Sequence, residues 1–329
     1  MTVPVIQSLM QQHPQLKVTV LSVGFLKPLF AGIPGVSFYT ADPKHRHKGI
    51  KGLLRLFREL KTLRVDAVAD LHDVLRSKVL RTLFKASGTP VVSIDKGRAE
   101  KKALTRAQNK VFRPLKTTHQ RYADVFARLG FPIDLLQHQF PAAQPLSPTA
   151  AALTGPKQET WIGIAPFSQY ASKVYPLDLM EQVVAKLAAQ PQTRVLLFGG
   201  GPKEVELLDG IAQRHAGALN LAGKIKLPDE LSVISHLDLM ISMDSGNAHF
   251  AAMLGRPVLT MWGVTHPYAG FYPFGQDPQN ALLADRTQFP AIPTSIYGNK
   301  FPPGYEECMR TISPDTVVAK VQEILQRTS

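Results

Sequence analysis

The residues best suited to chemistry form a short polar turn, Asp244, Ser245 and Gly246, with His249 one helical turn further on. The turn separates an apolar run, residues 237–243, from a helix-like segment. Ser245 or Asp244 could cap that helix, and Gly246 would let the backbone come close to a ligand. Unpaired N–H groups in the first turn, with the positive end of the helix dipole behind them, suit a phosphate group. An ordinary capped helix with one polar core histidine is the alternative, and the spacing alone does not decide between them.

The turn belongs to a larger repeating unit of strand, helix and strand. A second apolar run, residues 257–262, follows the helix and is closed by Gly263, Val264 and Thr265. This order is typical of a βαβ unit in a parallel sheet. Ligands of such sheets bind beyond the carboxyl ends of the strands, which is where Asp244 and Gly263 fall. The sequence therefore predicts a binding site at this edge of the sheet.

The same stretch resembles a family signature. It reads D-S-G-N-A-H-F-A-A-M-L-G-R-P-V-L-T-M-W-G-V-T-H-P. The C-terminal pattern of glycosyltransferase family 9, the bacterial heptosyltransferases, is roughly D-[ST]-G-x-x-H-x-A-A-x-x-x-x-P, an apolar strand and G-x-T-x-P. The resemblance implies an α/β chain of GT-B architecture, in which two doubly wound Rossmann-like domains face each other across a cleft.

The rest of the chain agrees with two domains. Alternating strand-like and helix-like segments occur before and after residues 140–159, a stretch with four prolines that is the best linker candidate. We expect an N-terminal acceptor-binding domain over residues 1–145 and a C-terminal domain over residues 146–329 that binds the nucleotide-sugar donor. The last helix is expected to pack back on the N-terminal domain.

The resemblance adds three donor-side residues to the turn. Ser168 and Lys173 match a strand-end Ser/Thr and a Lys shortly before W-P, although Tyr175 replaces the Trp. A Lys ammonium there would neutralise charge that grows on a leaving diphosphate. Glu204 matches an acidic residue near the nucleoside ribose. By residue type alone, Lys173 would be an exposed loop lysine and Glu204 a helix N-terminal residue favoured by the dipole. The full predicted donor site consists of Ser168, Lys173, Glu204, Asp244, Ser245, Gly246 and His249.

Charge is distributed unevenly along the chain. Residues 1–150 contain 24 Lys and Arg against 9 Asp and Glu, a net charge of +15, whereas the remainder has a net charge of −2. Such a basic half could meet nucleic acid, an acidic membrane surface or an acidic glycolipid, or be only a solvated surface. No recognisable nucleic-acid-binding module accompanies the charge, so we expect no nucleic-acid partner. The resemblance implies an anionic lipid A core as acceptor.

Several front-half residues are acceptor-side candidates through the resemblance. Residues 65–78 resemble a family segment that places Arg76 and Ser77 just after a strand. A basic loop with Arg98, Lys101 and Lys102 is expected after the next strand. Arg and Lys side chains there would pair with phosphates and carboxylates of the acceptor.

The start of the chain bears on catalysis. Family members precede the equivalent of residues 1–6 with an apolar strand and a turn ending in Gly-Asp, and that Asp is the family's proposed general base. The resemblance therefore implies a base upstream of Met1, through a truncated sequence or a misassigned start codon, and leaves the catalytic residue of this sequence unknown. A degenerate, inactive member is the other interpretation. Loss of a general base typically costs about 10²–10⁴-fold in rate, so we expect the chain as written to transfer sugar poorly.

Composition narrows the remaining possibilities. The single cysteine, Cys308, excludes an internal disulfide framework, and neither an Asp-x-Asp pair nor an H-E-x-x-H spacing is present, so we expect no metal and no cofactor. No apolar stretch approaches the ~18 residues of a membrane span, and residues 1–30 lack the layout of a signal peptide. We expect a cytoplasmic protein with peripheral contact to the cytoplasmic face of the inner membrane.

The resemblance to glycosyltransferase family 9 therefore implies an inverting glycosyltransferase that moves heptose from ADP-heptose to a lipopolysaccharide core acceptor. A transferase using another nucleotide sugar and an inactive protein that binds a sugar nucleotide are the alternatives. A Ser-His-Asp hydrolase is disfavoured, because no G-x-S-x-G elbow is present and Asp244, Ser245 and His249 share one short turn.

Overall fold

The computed structural model describes residues 1–300 and 302–328, which divide into two compact units. The first unit comprises Met1–Arg98 and Lys116–Gln139. The second comprises Ala99–Leu115 and the chain from Phe140 onward. The second unit is therefore formed by two separate stretches of the chain. The acceptor and donor roles expected for the two parts of the chain stay predictions.

The first unit contains four strands and four whole α-helices. They are α1 (Thr2–Gln12), β1 (Val18–Val23), β2 (Val36–Ala41), α2 (Gly49–Lys61), β3 (Val68–Asp70), α3 (Leu75–Ala86), β4 (Val91–Ser93) and α5 (Thr118–Ala127). Within the described residues the strands form two parallel pairs, β1 with β2 and β3 with β4. The sequence predicts a buried strand at residues 90–94. In the structure β4 is only half-buried, because it belongs to a two-stranded sheet.

The second unit is built on a six-stranded parallel sheet in the order β10-β9-β8-β5-β6-β7. Its strands are β5 (Thr160–Ala165), β6 (Thr193–Leu197), β7 (Ala218–Asn220), β8 (Leu239–Met243), β9 (Val258–Trp262) and β10 (Ala281–Leu283). Its helices are α4 (Arg98–Thr105, whose first residue belongs to the first unit), α6 (Pro148–Thr154), α7 (Leu177–Ala188), α8 (Pro202–Arg214), α9 (Leu227–Ile234), α10 (Gly246–Met253) and α11 (Pro314–Thr328). All residues of β8 and β9 are buried, as expected of central strands with both faces covered.

Alternate residues of the central strands point into two apolar clusters. Leu239 and Ile241 of β8 join one cluster, which α7, α8 and α11 complete, whereas Met240 joins the other, which α6, α9 and α10 complete. Helices therefore cover both faces of this sheet, which makes it doubly wound. The last helix packs within this unit through Val317, Val321 and Ile324. Its expected return to the N-terminal domain stays a prediction.

Three elements differ from the sequence expectation. The prediction of a basic loop after β4 is wrong, because Arg98–Thr105 forms the helix α4. The expected linker is wrong in part, because Pro148–Thr154 forms α6, capped by the Ser147 side chain and anchored by the fully buried Ala150. The edge strand β10 was not predicted from the sequence. None of the helices in the described part of the chain is long and apolar enough to span a bilayer.

Residues 99–115, which we call the bracing segment, pack on the loops after β9. The Phe112 ring lies 5.0 Å from the ring of His266 and 4.8 Å from that of Tyr268. The backbone N–H of Leu115 donates to the Tyr268 carbonyl over 3.0 Å. The Lys110 ammonium, also in the bracing segment, donates to the carbonyl of Ala291 over 2.7 Å. The segment is thus fixed to the second unit at several points.

Candidate functional site

A cavity of about 240 Å³ lies at the carboxyl ends of β5 and β8 in the second unit. Six of the seven predicted donor residues line it: Ser168, Lys173, Asp244, Ser245, Gly246 and His249. The structure thus brings together side chains that are separated by up to 81 residues in the sequence. Their role in binding a donor stays a prediction, but they line one cavity.

The carboxylate of Asp244 is the polar centre of this cavity. It accepts hydrogen bonds from the Lys173 ammonium over 3.3 Å and from the Thr265 hydroxyl over 3.1 Å. The Ser168 hydroxyl donates to the Asp244 carbonyl over 3.3 Å. Asp244 therefore connects the loops that follow β5, β8 and β9, and it holds the ammonium of Lys173 beside the cavity.

Burial controls the electrostatics of the pair formed by Lys173 and Asp244. Their side chains are only 12% and 9% exposed. Burial raises the pKa of the Asp244 carboxyl, while the charge of Lys173 and the hydrogen bond from Thr265 act in the opposite direction. A buried ion pair gains strength from the low local dielectric, but its charges must be desolvated, so loss of one partner is costly.

The first turn of α10 presents backbone N–H groups to the same cavity. The sequence suggests that Ser245 or Asp244 caps this helix, and for the described residues that expectation is wrong. Ser245 stands at the N-cap without making a side-chain capping bond, because its hydroxyl pairs with the hydroxyl of Ser242 over 3.0 Å. The Asp244 carboxylate is directed to Lys173 and Thr265 instead. The N–H groups and the helix dipole are thus directed at the space that Lys173 borders, which is the arrangement of an anion site.

Two glycines let the loops approach closely enough to place Lys173. A Cβ at Gly263 would lie 2.4 Å from the carbonyl oxygen of Ser172, so the turn after β9 needs glycine there. A Cβ at Gly298 would lie 2.6 Å from Cγ of Lys173. The Ser172 hydroxyl also donates to the Gly298 carbonyl. The loop at Gly298 therefore supports the stem of Lys173 and directs its ammonium toward Asp244.

Glu204 lies apart from the other predicted donor residues. It does not line the cavity. Its carboxylate accepts from the backbone N–H of Gly200 over 2.7 Å and so stabilises the turn between β6 and α8. Because β6 neighbours β5 in the sheet, this turn lies on one side of the cavity. A ribose contact by Glu204 stays a prediction.

The acceptor-side candidates of the first unit surround a turn after β3. Ser77 donates to the Asp70 carboxylate over 3.0 Å, and Arg98 donates to the Asp73 carboxylate over 2.7 Å. Arg76 is exposed at the start of α3. Ser77 therefore stabilises the turn, while Arg76 and Arg98 keep their expected acceptor role as a prediction.

Asp70 and Asp73 are also candidates for a general base if the chain is active as written. Asp70 is buried and accepts from the backbone N–H groups of His72 and Asp73 as well as from Ser77. Burial raises the pKa of Asp73, but the nearby cations, of which Lys78 and Arg98 act most strongly, outweigh it and hold the pKa below its usual value. Both carboxylates therefore hold the turn through their hydrogen bonds and ion pairs, and the lowered pKa makes Asp73 a weaker base.

Lys101 and Lys102 lie on α4, and only one of them is at the surface. Lys102 is exposed, whereas Lys101 is 8% exposed and its ammonium lies 4.3 Å from the ring centroid of Phe271. An acceptor contact by Lys102 stays a prediction. For Lys101 the structure indicates a place inside the second unit, on an aromatic ring that lines the cavity.

Sequence reasoning missed four residues that line the cavity: Gln169, Phe271, Ile296 and Tyr297. Gln169 directly follows Ser168, so its place next to a predicted donor residue could have indicated that it lines the cavity. Phe271 lies in the irregular region between β9 and β10, and Ile296 and Tyr297 lie in the one after β10. No period of 2 or 3.6 marks there which side chains point inward.

Comparisons with known proteins identify the family. The model described as "Glycosyltransferase family 9 (heptosyltransferase)" matches residues 53–290. The chain belongs to glycosyltransferase family 9. The resemblance drawn from the Asp244 turn is therefore confirmed, and the match spans parts of both units.

Individual proteins similar to this chain agree with the family and with the fold. The lipopolysaccharide core heptosyltransferase OpsX of Haemophilus influenzae is 27% identical over 276 residues, which cover 80% of this chain and 75% of that protein. The family 9 glycosyltransferase of Veillonella parvula superposes with a TM-score of 0.74 at 17% identity, covering 99% and 93% of the two chains. The structure of E. coli heptosyltransferase WaaC with ADP superposes with a TM-score of 0.66 at 20% identity, covering 98% of this chain and 95% of that chain. These structures confirm the α/β fold of the GT-B class that the sequence predicts.

Proposed function

We propose that this family 9 protein transfers heptose from ADP-heptose to a lipopolysaccharide core acceptor, with inversion at the anomeric carbon. The observation that carries the proposal is the uncapped N-terminus of α10, which shares a cavity with the buried Lys173 and Asp244. The comparisons add that OpsX is named a lipopolysaccharide core heptosyltransferase and that WaaC is described with ADP. A diphosphate is the group that best fits N–H donors and an ammonium that border one cavity.

The transfer step follows from this arrangement. A hydroxyl of the acceptor attacks the anomeric carbon from the face opposite the diphosphate, and the bond from that carbon to the diphosphate oxygen breaks. The leaving diphosphate takes the bonding electron pair, and its growing charge is stabilised by Lys173 and the first N–H groups of α10. The hydroxyl proton goes to a general base, which the family resemblance assigns to the Asp of a Gly-Asp turn. Asp244 fixes Lys173, and we also assign to it contacts with the sugar hydroxyls.

The acceptor proposal rests on charge. The basic first 150 residues suit the phosphates and carboxylates of a lipid A core. A lipid-linked acceptor would bring the protein to the cytoplasmic face of the inner membrane as a peripheral protein. Exposed Arg76 and Arg98 at the turn after β3 are the side chains that we assign to acceptor phosphates.

The proposed reaction is tested by incubating the full chain with ADP-heptose and a deacylated lipid A core acceptor. We expect slow ADP release that depends on the acceptor, and a product heavier by one heptose whose new linkage has inverted anomeric configuration by NMR. Binding of ADP-heptose without transfer would favour an inactive binding protein. Transfer from a different nucleotide sugar, with none from ADP-heptose, would contradict the donor assignment.

Acceptor binding should depend on Arg76 and Arg98. Changing both to glutamine is expected to raise the acceptor KM by about 5- to 30-fold, since each lost charge-assisted contact at an exposed site contributes about 0.5–1 kcal/mol. The KM of the variant should also depend less on salt. ADP affinity should not change. Lys85→Gln, at an exposed position late in α3, is the matched control. A fall in ADP affinity with an unchanged acceptor KM would contradict the assignment of Arg76 and Arg98 to the acceptor and indicate that they bind the donor.

The support of Lys173 by Gly298 can be tested with a matched glycine. Gly298 has φ +81°, and a Cβ there would displace Lys173; Gly304 has φ +80°, but a Cβ there meets nothing within 4 Å. Gly298→Ala and Gly304→Ala therefore share the same backbone strain. We expect only Gly298→Ala to weaken ADP binding, by about tenfold, because a charge-assisted hydrogen bond of at least ~1.5 kcal/mol is misplaced. Equal ADP affinity in the two variants, measured by calorimetry, would contradict this support.

A further inference from the structure

We infer that the sugar of the donor packs against the aromatic wall formed by Phe271 and Tyr297, and that Lys101 is a positioning residue that holds Phe271 in place. The inference rests on the proposed function, because it assumes a nucleotide sugar whose diphosphate lies at α10. It goes beyond the proposed function in two ways. It assigns the sugar end of the ligand to named residues, and it proposes that the bracing segment supports the aromatic wall.

The cavity has two chemically different walls. Lys173, Asp244 and the start of α10 form a polar wall, which suits the diphosphate. Phe271, Ile296 and Tyr297 form an apolar wall. The Phe271 and Tyr297 rings lie 5.6 Å apart with an interplanar angle of 44°, so they form one continuous aromatic surface. Tyr297 is 51% exposed, which is unusual for an aromatic side chain that serves only packing.

Strand order tells which end of the ligand meets this wall. The sheet runs β10, β9, β8, β5 and β6 in space. The diphosphate site lies at the ends of β8 and β5. The Glu204 turn, assigned to the ribose, follows β6 on one side, whereas Phe271 follows β9 on the other. Tyr297 lies against Phe271, next to the glycine that packs on Lys173. A donor whose nucleoside extends toward Glu204 therefore directs its sugar toward the aromatic wall.

The aromatic faces suit a sugar ring for a physical reason. A pyranose has polar edges, but its axial C–H bonds give it an apolar face that can lie on an aromatic ring. Asp244, which lines the same cavity, can accept from the hydroxyls at the edge of the same ring. An apolar lining with a few placed polar groups is typical of sites that orient small ligands.

Lys101 supports Phe271 from the bracing segment. Its buried ammonium lies 4.3 Å from the Phe271 ring centroid, a cation–π distance. Leu104 and Leu115 of the same segment pack with Ala269, and Phe271 and Ile296 pack against that cluster. The bracing segment thus lies behind the aromatic wall, and Lys101 contacts the ring that the sugar would meet. Because Lys101 acts through Phe271, it is not a catalytic residue.

The test compares the affinities of ADP and of ADP-heptose, measured by calorimetry on the full chain. Lys101→Met should weaken ADP-heptose binding by about 3- to 10-fold, as expected for the loss of a partly buried cation–π contact, and leave ADP affinity within about twofold. Lys101→Arg keeps a cation over the ring and should restore ADP-heptose binding. Phe271→Leu should behave as Lys101→Met does. Arg113→Met, an exposed basic residue of the same segment, is the matched control and should change neither affinity.

The outcomes separate this inference from the proposed function. If the unmodified protein bound ADP-heptose no more tightly than it bound unrelated nucleotide sugars, the proposed function itself would fail. If the unmodified protein bound both ligands and Lys101→Met lowered both affinities equally, the wall would contact the nucleoside or serve stability alone, and the inference would be overturned. Unchanged ADP-heptose affinity in both Lys101→Met and Phe271→Leu would overturn it as well. A midpoint of thermal unfolding close to that of the unmodified protein shows that each variant is folded.

Discussion

Replacing Lys173 by methionine is expected to weaken ADP binding by about 10- to 100-fold, because a charge-assisted hydrogen bond to the diphosphate contributes about 1.5–3 kcal/mol. The same change leaves the carboxylate of Asp244 buried without its cation. Removing one partner of a buried ion pair typically costs about 3–5 kcal/mol in unfolding free energy. Calorimetry with ADP and urea unfolding measure the two effects separately.

A double variant distinguishes binding from stability. In Lys173→Met combined with Asp244→Asn, the buried site carries no charge, and the Asn side chain can still accept from Thr265. We expect this variant to recover most of the lost unfolding free energy while its ADP affinity remains low. Recovery of ADP affinity in the double variant would show that Lys173 acts only on stability, and the phosphate assignment would be wrong.

The second unit should lose stability in acid through His266. Its imidazole is buried and accepts from the backbone N–H of Tyr268 over 3.1 Å; burial, with the charge of Arg286, lowers its pKa to about 4. Because the unfolded chain binds this proton near the ordinary pKa of 6.5, the stabilisation is complete above pH 6.5 and is lost as pH falls toward 4. We expect a loss of about 2 kcal/mol between pH 7.5 and 5 from this residue.

Tryptophan fluorescence isolates this effect, because Trp161 and Trp262 are the only tryptophans of the chain and both are buried in the second unit. Urea unfolding followed by this signal at pH 7.5 and 5 should show a smaller difference in His266→Asn than in the unmodified protein. The Asn oxygen can still accept from the backbone N–H of Tyr268, so the variant keeps this hydrogen bond. For each protein, the unfolding free energy at pH 5 is compared with its own value at pH 7.5. Equal pH dependence in the two proteins would rule out His266 as the source.

Much of the candidate site could be predicted from the sequence because its residues sit at strand ends and in tight turns. Asp244, Gly246 and Gly263 mark the points where two central strands stop, and glycine is needed where a Cβ would meet a carbonyl oxygen. Local sequence specifies such turns. The capping bond expected of Ser245 was not made, because a neighbouring hydroxyl on Ser242 competes for it.

Other features depend on contacts that are remote in sequence. Lys101 has the composition of a surface residue on a charged helix, and only its packing on Phe271, 170 positions away, buries it. The helix α6 lies in a proline-rich stretch, and its buried Ala150 gives it a place in the core that its composition does not indicate. Phe271 and Tyr297 reach the cavity from irregular loops, whose paths are set by tertiary contacts.

The central claim is that the cavity at the N-terminus of α10 holds the diphosphate of a nucleotide sugar, and a crystal structure of the protein with ADP tests it most directly. We predict diphosphate oxygens within hydrogen-bond distance of the backbone N–H groups of Gly246 or Asn247 and of the Lys173 ammonium, with the ribose toward Glu204. ADP bound elsewhere, for example at the Gly199–Gly201 turn with this cavity left open, would contradict the account.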